Sequence, residues 1–215
     1  INEFILSLNL ISNEKLSDKE KLKLIYTISN HAEKHYKVFK IPKRNGGYRT
    51  IYEPDYTLKS IQRNILNNVL NERITSSYAK AYKKGLSLVD NATPHLNKKV
   101  ILKLDIKDFF PSIDFLKVYK KAFPRNMYPE AVASLLTNLT TYNNFLPQGT
   151  PTSSYISNLV LRSFDIKVGN FCEDRNISYT RYCDDMTFSG DFDTNEVITF
   201  VKNALYKEGF ILNKQ

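Results

Sequence analysis

The sequence predicts an α+β fold in which a small antiparallel sheet packs on helices. Two short strand-like runs, 177–182 and 186–189, lie on either side of a tight turn. A third run begins at residue 100, where Leu and Ile alternate with Lys as on a half-buried strand. Elsewhere, apolar residues recur three or four positions apart, which indicates amphipathic helices.

The first hundred residues are predicted to form helices and one β-hairpin. Ser17, with Glu20 three residues later, has the pattern of a capping box, and the helix that it opens should run to about residue 34. Asn-Gly-Gly at 45–47 separates two strand-like runs, 36–42 and 48–52, and favours a tight hairpin turn.

A second helix is predicted to begin at Thr57. Its apolar stripe consists of Leu58, Ile61, Ile65 and Val69, and the polar residues off this stripe are Lys59, Gln62 and Arg63. These three polar side chains either face a nucleic acid or are simply solvated. A further helix is expected over residues 195–207.

The net charge of +9 points to a polyanionic partner, because the whole excess lies in residues 1–100 while residues 101–215 are balanced. The two cysteines, Cys172 and Cys183, have neither the spacing of a metal site nor that of a disulfide framework. No apolar stretch is long enough to span a membrane, and no secretory signal pattern opens the chain. A cytoplasmic location and no membrane partner are therefore expected.

Two acidic segments form the candidate catalytic centre. Asp184 and Asp185 lie in the turn between the last two strand-like runs, and Asp105 ends the run that begins at residue 100. Carboxylates at the rim of a half-buried sheet repel each other and lose hydration, so they need a cation such as Mg²⁺, which prefers oxygen ligands. If the two strands are neighbours, the three carboxylates meet at one end of the sheet. That arrangement suits two metal ions and an in-line phosphoryl transfer.

The segment 146–154, Leu-Pro-Gln-Gly-Thr-Pro-Thr-Ser-Ser, is predicted to be a loop that leads into a helix. Gly149 allows unusual dihedral angles or a close approach of another backbone. The hydroxyl residues after Pro151 are suited to capping a helix, and the apolar spacing that follows them predicts one.

Three segments resemble motifs A, B and C of the reverse transcriptases in the expected order: 105–113, 147–158, and 182–185 with its Tyr-Cys-Asp-Asp box. Ile-Pro-Lys-x-x-Gly-Gly-x-Arg-x-Ile at 41–51 is similar to their fingers hairpin, and Asn-Ala-Thr-Pro-His at 91–95 is similar to an element of the retron enzymes. The resemblance implies a polymerase palm, which is a ferredoxin-like antiparallel sheet packed on helices, together with a fingers region of helices and a hairpin.

The resemblance also implies a domain organisation. Residues 1–100 would form the N-terminal helices and the fingers. Residues 101–215 would form the palm, with fingers helices inserted at about 115–146. The thumb is expected to be absent from this chain.

Individual roles follow from the same resemblance. The catalytic carboxylates and metal ligands would be Asp105, Asp184 and Asp185, with the carbonyl of Ile106 as a further ligand. The incoming nucleotide would be bound by Lys43, Arg49, Phe110, Gln148 and Gly149. The primer and template would contact Tyr182, Cys183 and Arg63.

The Phe110 ring would stack under the sugar and reject a 2′-hydroxyl, which finds neither room nor a partner there. The alternative is that Phe110 is a core residue, like Phe109. Lys214 would protonate the leaving group.

The function implied is RNA-directed DNA synthesis with two Mg²⁺ ions, for which Mn²⁺ is a substitute. The partners would be an RNA template, a DNA primer or product, and dNTPs. A retron identity would add the copying of a structured non-coding RNA, an effector or accessory protein, and a role in antiviral defence. Three alternatives stay open: a group II intron or abortive-infection-type reverse transcriptase, a catalytically weak RNA-binding fragment, and a two-metal nuclease. The lack of a His or Glu beside the carboxylates argues against the nuclease.

Two residues near these motifs have more than one interpretation. Arg181 either reaches a nucleic-acid backbone or forms a salt bridge, and the sequence does not favour one of the two. His95 follows a proline, and a structural role is favoured over a catalytic one.

Overall fold

A computed structural model describes residues 1–43 and 46–213. The hairpin-turn residues Arg44 and Asn45, and the predicted proton donor Lys214, lie outside the described residues. The chain forms two compact units, one of Ile1–Ile74 and Ile113–Ile156, the other of Thr75–Ser112 and Ser157–Gln215. The assignment of fingers and palm to particular ranges stays a prediction.

The helices are α1 (Asn2–Ser7), α2 (Asp18–Asn30), α3 (Tyr56–Ile65), α4 (Leu88–Ala92), α5 (Phe115–Lys121), α6 (Glu130–Thr140), α7 (Ser153–Val160), α8 (Arg162–Glu173) and α9 (Thr194–Lys207). The strands are β1 (Tyr36–Pro42), β2 (Tyr48–Pro54), β3 (Val100–Asp105), β4 (Ser178–Tyr182) and β5 (Asp185–Gly190). Short 3₁₀ turns cover Ala32–His35 and Thr93–His95, and a π-helical turn covers Leu66–Leu70.

The first unit is built around α6, which packs on α2, α3 and α5. Its buried side chains include Leu136 and Leu139, and burying an aliphatic side chain of this size contributes about 1.5–3 kcal/mol. The predicted stripe of α3 is buried, and Asp55 caps this helix by accepting a hydrogen bond from the Leu58 amide at 2.9 Å. The capping box predicted at the start of α2 is confirmed.

The hairpin of β1 and β2 belongs to the first unit and is largely open to solvent. Its antiparallel register runs from Tyr36 opposite Pro54 to Pro42 opposite Tyr48. In β1 only Tyr36 is half-buried; the rest of the strand is exposed. The base of the hairpin is anchored because the Tyr36 hydroxyl accepts a hydrogen bond from Gln62 Nε2 at 2.8 Å. The predicted hairpin strands are thus confirmed.

The second unit contains a three-stranded antiparallel sheet in the order β3-β5-β4. Helix α8 packs on β4 and on α9. The sheet contributes Met186 and Phe188 to the core, and the Tyr179 ring stacks on Phe188 with centroids 4.9 Å apart. The predicted strands are confirmed to within a residue or two, and so is the antiparallel α+β character of the unit. Across the described ranges, no helix is long and apolar enough to cross a membrane.

Candidate active site

The turn between β4 and β5 carries two of the predicted carboxylates. Tyr182 pairs with Asp185 across the two strands, so Cys183 and Asp184 form a two-residue hairpin loop. Such loops need positive φ, which Gly or Asn usually supplies. Here Cys183 adopts a φ of +63°. A non-glycine residue in this region is held there by its surroundings, and such residues cluster at functional sites.

The sheet register brings Asp105 to the same turn. Asp105, the last residue of β3, lies directly opposite Asp185, the first residue of β5. Directly opposed residues of antiparallel strands project to the same face of the sheet. In addition, the Ile106 amide donates to the Asp184 carbonyl at 3.3 Å. Three acidic residues that are remote in sequence therefore meet at one end of the sheet.

Two of the carboxylates at this edge, those of Asp105 and Asp185, have a raised pKa. Burial raises the pKa of Asp105; a hydrogen bond from Asn213 Nδ2 at 2.9 Å opposes this shift, and the nearby charge of Asp184 adds to it. Desolvation raises the pKa of Asp185, and the charges of Asp184 and Asp105 raise it further. The charge of Lys103 opposes these effects on Asp185. The edge is thus a cluster of negative charge, which the charge of Lys103 offsets in part at Asp185.

The donor set at this edge fits Mg²⁺ chemically. Three carboxylates and the carbonyl of Ile106 are all oxygen ligands, which Mg²⁺ prefers, and a divalent cation relieves the repulsion between Asp105, Asp184 and Asp185. Within residues 1–43 and 46–213, no three His, Cys, Asp or Glu side chains are gathered as in a formed metal site. The shared edge is the stronger observation, because side chains rotate more readily than strands change register.

A buried ion pair lies directly behind the turn. The Arg181 guanidinium is fully buried; its Nε and Nη2 donate to the two carboxylate oxygens of Asp165 at 2.8 and 2.7 Å, and its Nη1 donates to the Cys183 carbonyl at 2.7 Å. Burial alone lowers the pKa of Arg181, but the attraction of Asp165 outweighs it and the net shift is upward. Arg181 therefore forms a salt bridge rather than a nucleic-acid contact.

Sequence reasoning did not single out Asp165, although a signal was present. Asp165 lies in α8 between the buried residues Phe164 and Val168. An acidic residue on the apolar face of a helix needs a buried cationic partner.

His95 contacts both strands that flank the turn, β4 and β5. Its ring is buried, with Nδ1 2.7 Å from Ser189 Oγ and Nε2 2.8 Å from Thr180 Oγ1. The Thr180 hydroxyl donates to the Asn91 carbonyl at 3.3 Å, so it accepts from Nε2–H. Burial and the charges of Lys98 and Lys103 lower the pKa of His95, which favours the neutral ring, in which Nδ1 accepts from Ser189. These contacts fit the favoured structural interpretation.

Phe109 and Phe110 are both buried, and Phe110 retains 8% exposure. Their ring centroids are 5.3 Å apart, and Phe109 also packs on Phe210 at 6.3 Å. The role of Phe110 at the sugar stays a prediction.

The predicted nucleotide-binding residues Lys43, Arg49, Gln148 and Gly149 belong to the first unit. Lys43 and Arg49 are exposed on the hairpin. The loop of Gln148 and Gly149 docks on β2, because the Tyr52 amide donates to the Gln148 carbonyl at 2.9 Å. The convergence of these residues with the carboxylates on one nucleotide stays a prediction.

Gly149 is required where it stands for two reasons. Its φ is +107°, and a Cβ at this position would lie 2.8 Å from Cγ2 of Ile51. The sequence predicted an unusual dihedral angle or a close approach, and both occur.

The polar residues beside the apolar stripe of α3 differ in their burial. Arg63 is exposed, as a template contact requires. Gln62, in contrast, is fully buried and donates to the Leu139 carbonyl at 2.9 Å, so the prediction that it faces a template or solvent was wrong. Gln62 follows Leu58 by four residues and therefore shares its buried face.

Comparisons with known proteins identify the family of this chain. The family described as "Reverse transcriptase (RNA-dependent DNA polymerase)" matches residues 41–215. The retron Ec86 reverse transcriptase of Escherichia coli is 34% identical over 89% of this chain and 60% of its own length. The retron Mx65 reverse transcriptase of Myxococcus xanthus is 34% identical over 88% of this chain and 49% of its own length. The retron Ec83 reverse transcriptase of Escherichia coli is 37% identical over 75% of this chain and 54% of its own length. The chain thus spans about half to three fifths of the length of these relatives, and it belongs to the reverse transcriptase family.

Proposed function

We propose that this chain carries the catalytic centre of an RNA-directed DNA polymerase that extends a primer with deoxynucleotides. The observation that carries the proposal is the register of β3 against β5, which sets Asp105 opposite Asp185 next to the Cys183–Asp184 turn. In this proposal Asp105, Asp184 and Asp185, with the Ile106 carbonyl, hold the metal ions. When bound, two Mg²⁺ ions would lower the pKa of the attacking hydroxyl and neutralise charge on the triphosphate and pyrophosphate.

The remaining residues orient the substrates. Arg49 and Lys43 stabilise the negative charge of the triphosphate, and the guanidinium of Arg49 grips phosphate with two hydrogen bonds. Gln148 and Gly149 contact the incoming nucleotide. Phe110 supports its sugar and leaves a 2′-hydroxyl without a hydrogen-bond partner.

The primer and template contacts are also part of the proposal. Tyr182 and Cys183 lie at the primer end, next to the carboxylates of the same turn. Arg63 contacts the template backbone. These contacts suit the basic character of residues 1–100.

We further propose that the enzyme is of the retron type. The similarity to three enzymes named as retron reverse transcriptases supports this, as does the Asn-Ala-Thr-Pro-His element. A retron enzyme would copy a structured non-coding RNA, act with an effector or accessory protein, and take part in antiviral defence. Sequencing the RNA and DNA that copurify with the full chain tests this assignment. A random population of cellular RNA, without an associated DNA copy, would contradict it.

The direct test of polymerase function replaces the carboxylates of the turn. We expect Asp184→Asn with Asp185→Asn to abolish primer extension on an RNA template by the full chain, because neutral amides do not hold the metal ions, while RNA binding persists. A matched control is Asp191→Asn, which removes an exposed carboxylate just beyond β5 that forms an ion pair with the exposed Lys99. Synthesis by the double variant at the wild-type rate would refute the assigned ligands.

A further inference from the structure

We propose that Arg181 is a positioning residue for the Cys183–Asp184 turn. In this proposal the ion pair with Asp165 orients the Arg181 guanidinium so that it donates to the Cys183 carbonyl. The proposal rests on the proposed polymerase function. Its first support is the turn itself, where Cys183 holds the positive φ of +63° that leads into Asp184. The orientation of the Cys183–Asp184 peptide sets the position of the Asp184 backbone, and therefore the starting point of the Asp184 side chain. Arg181 Nη1, at 2.7 Å, holds the carbonyl end of that peptide.

The guanidinium that holds this peptide is itself fixed from other elements. Asp165 of α8 binds it through both carboxylate oxygens, and Asn158 Oδ1 of α7 accepts a second hydrogen bond from Nη1 at 3.2 Å. Asn158 in turn donates to the Ala81 carbonyl at 2.9 Å, and the Tyr179 hydroxyl donates to Asp165 at 2.9 Å. Arg181, Asp165 and Asn158 are fully buried. The position of the turn is therefore fixed by contacts with α7 and α8 and, through Asn158, with the backbone of Ala81.

The contact continues from the turn to the opposite strand. The Asp184 carbonyl accepts from the Ile106 amide at 3.3 Å, and Ile106 directly follows Asp105. A second contact is made with the side chain of Cys183, whose Sγ accepts a hydrogen bond from the Tyr82 hydroxyl at 3.3 Å. Movement of the Cys183 peptide would thus change the separation between Asp184 and Asp105.

The residue types of the Arg181–Asp165 pair indicate that it positions the turn and does not merely stabilise the fold. A buried ion pair is often no more stabilising than well-packed apolar residues of the same volume. Arginine has a planar fork that can hold a carboxylate with two N–H groups and still direct a third at a carbonyl, whereas the lysine ammonium is a single point donor. The use of Arg181 Nε, Nη1 and Nη2 matches this geometry.

The test separates positioning from folding with three variants of the full chain. Arg181→Met combined with Asp165→Leu removes both charges and fills the space with apolar groups. Arg181→Lys keeps the charge but loses the fork. Tyr179→Phe is the matched control, since it removes a hydrogen bond to Asp165 and leaves the turn contact in place.

Two readouts are measured, primer-extension kinetics and hydrogen exchange of the turn amides without metal or substrate. We expect the double variant and Arg181→Lys to lower kcat by about 10- to 100-fold, the size of effect that small misplacements of catalytic groups produce. Their KM for dNTP should stay within about threefold, because the proposed nucleotide-binding residues are unchanged. Exchange at 183–186 should accelerate about tenfold or more relative to α9, whereas Tyr179→Phe should match the wild type in both readouts.

Wild-type kcat and wild-type turn exchange in a folded double variant would overturn the proposal, and the same result in Arg181→Lys would overturn it if the double variant does not fold. A wild-type protein that extends no primer would refute the polymerase function instead. In that case the exchange rates still decide whether Arg181 orders the turn.

Discussion

The contact between Gly149 and the hairpin allows a quantitative prediction for Gly149→Ala. An L residue at the observed φ of +107° costs about 1–3 kcal/mol in backbone strain. The new Cβ would also lie 2.8 Å from Ile51 Cγ2. This methyl is attached to a β-branched carbon in β2 and moves little. Relieving such an overlap costs a further ~1–3 kcal/mol. We therefore expect Gly149→Ala to lower the free energy of unfolding by about 2–6 kcal/mol.

Ile51→Leu separates the two contributions. Leucine keeps the volume but has no methyl on Cβ, and alone it should cost less than about 1.5 kcal/mol. In the double variant the overlap disappears and the strain remains, so the loss should be smaller than the sum of the single losses by about 1–3 kcal/mol.

Urea unfolding followed by circular dichroism measures all four proteins of this cycle. A loss below about 0.5 kcal/mol for Gly149→Ala, or strict additivity in the double variant, would refute the reasoning. Retained stability would mean that the loop and β2 separate freely.

Three further predictions concern the site and its support. Arg49→Ala should raise the KM for dNTP in primer extension about tenfold or more, since a charge-assisted phosphate contact is lost; an unchanged KM would exclude the contact. Phe110→Ala should admit ribonucleotides, measured as the ratio of rNTP to dNTP incorporation, and unchanged sugar discrimination would remove Phe110 from this role. For His95, burial together with the charges of Lys98 and Lys103 lowers the pKa. The neutral ring therefore stabilises the fold above the unfolded pKa of about 6.5, and this contribution is lost as pH falls through the lower folded value. Urea unfolding between pH 7.5 and 5 should show a steeper loss for the wild type than for His95→Gln, and parallel curves would contradict it.

The local elements of this protein were predictable because each depends on residues that are close in sequence. The Ser17–Glu20 box fixes the start of α2 through contacts within one turn, and the apolar stripe of α3 follows from helical periodicity. The strand ending at Asp105 was predicted from its alternation. The motif order around Asp184 indicated the family. These features need no knowledge of how distant segments pack.

Other features were decided only by tertiary structure. The pairing of Asp105 with Asp185 depends on which strands become neighbours and in which register, since a slip of one residue would turn a carboxylate to the opposite face. The sequence left Arg181 with two interpretations, and the burial of Asp165 on α8 selected the salt bridge. Gln62 carries a polar side chain that solvent would normally attract, yet its Nε2 donates in the core to the Tyr36 hydroxyl and to a backbone carbonyl supplied by α6. In each case the partner lies on a different helix or strand, so the free energy that decides the outcome exists only once these elements have packed together.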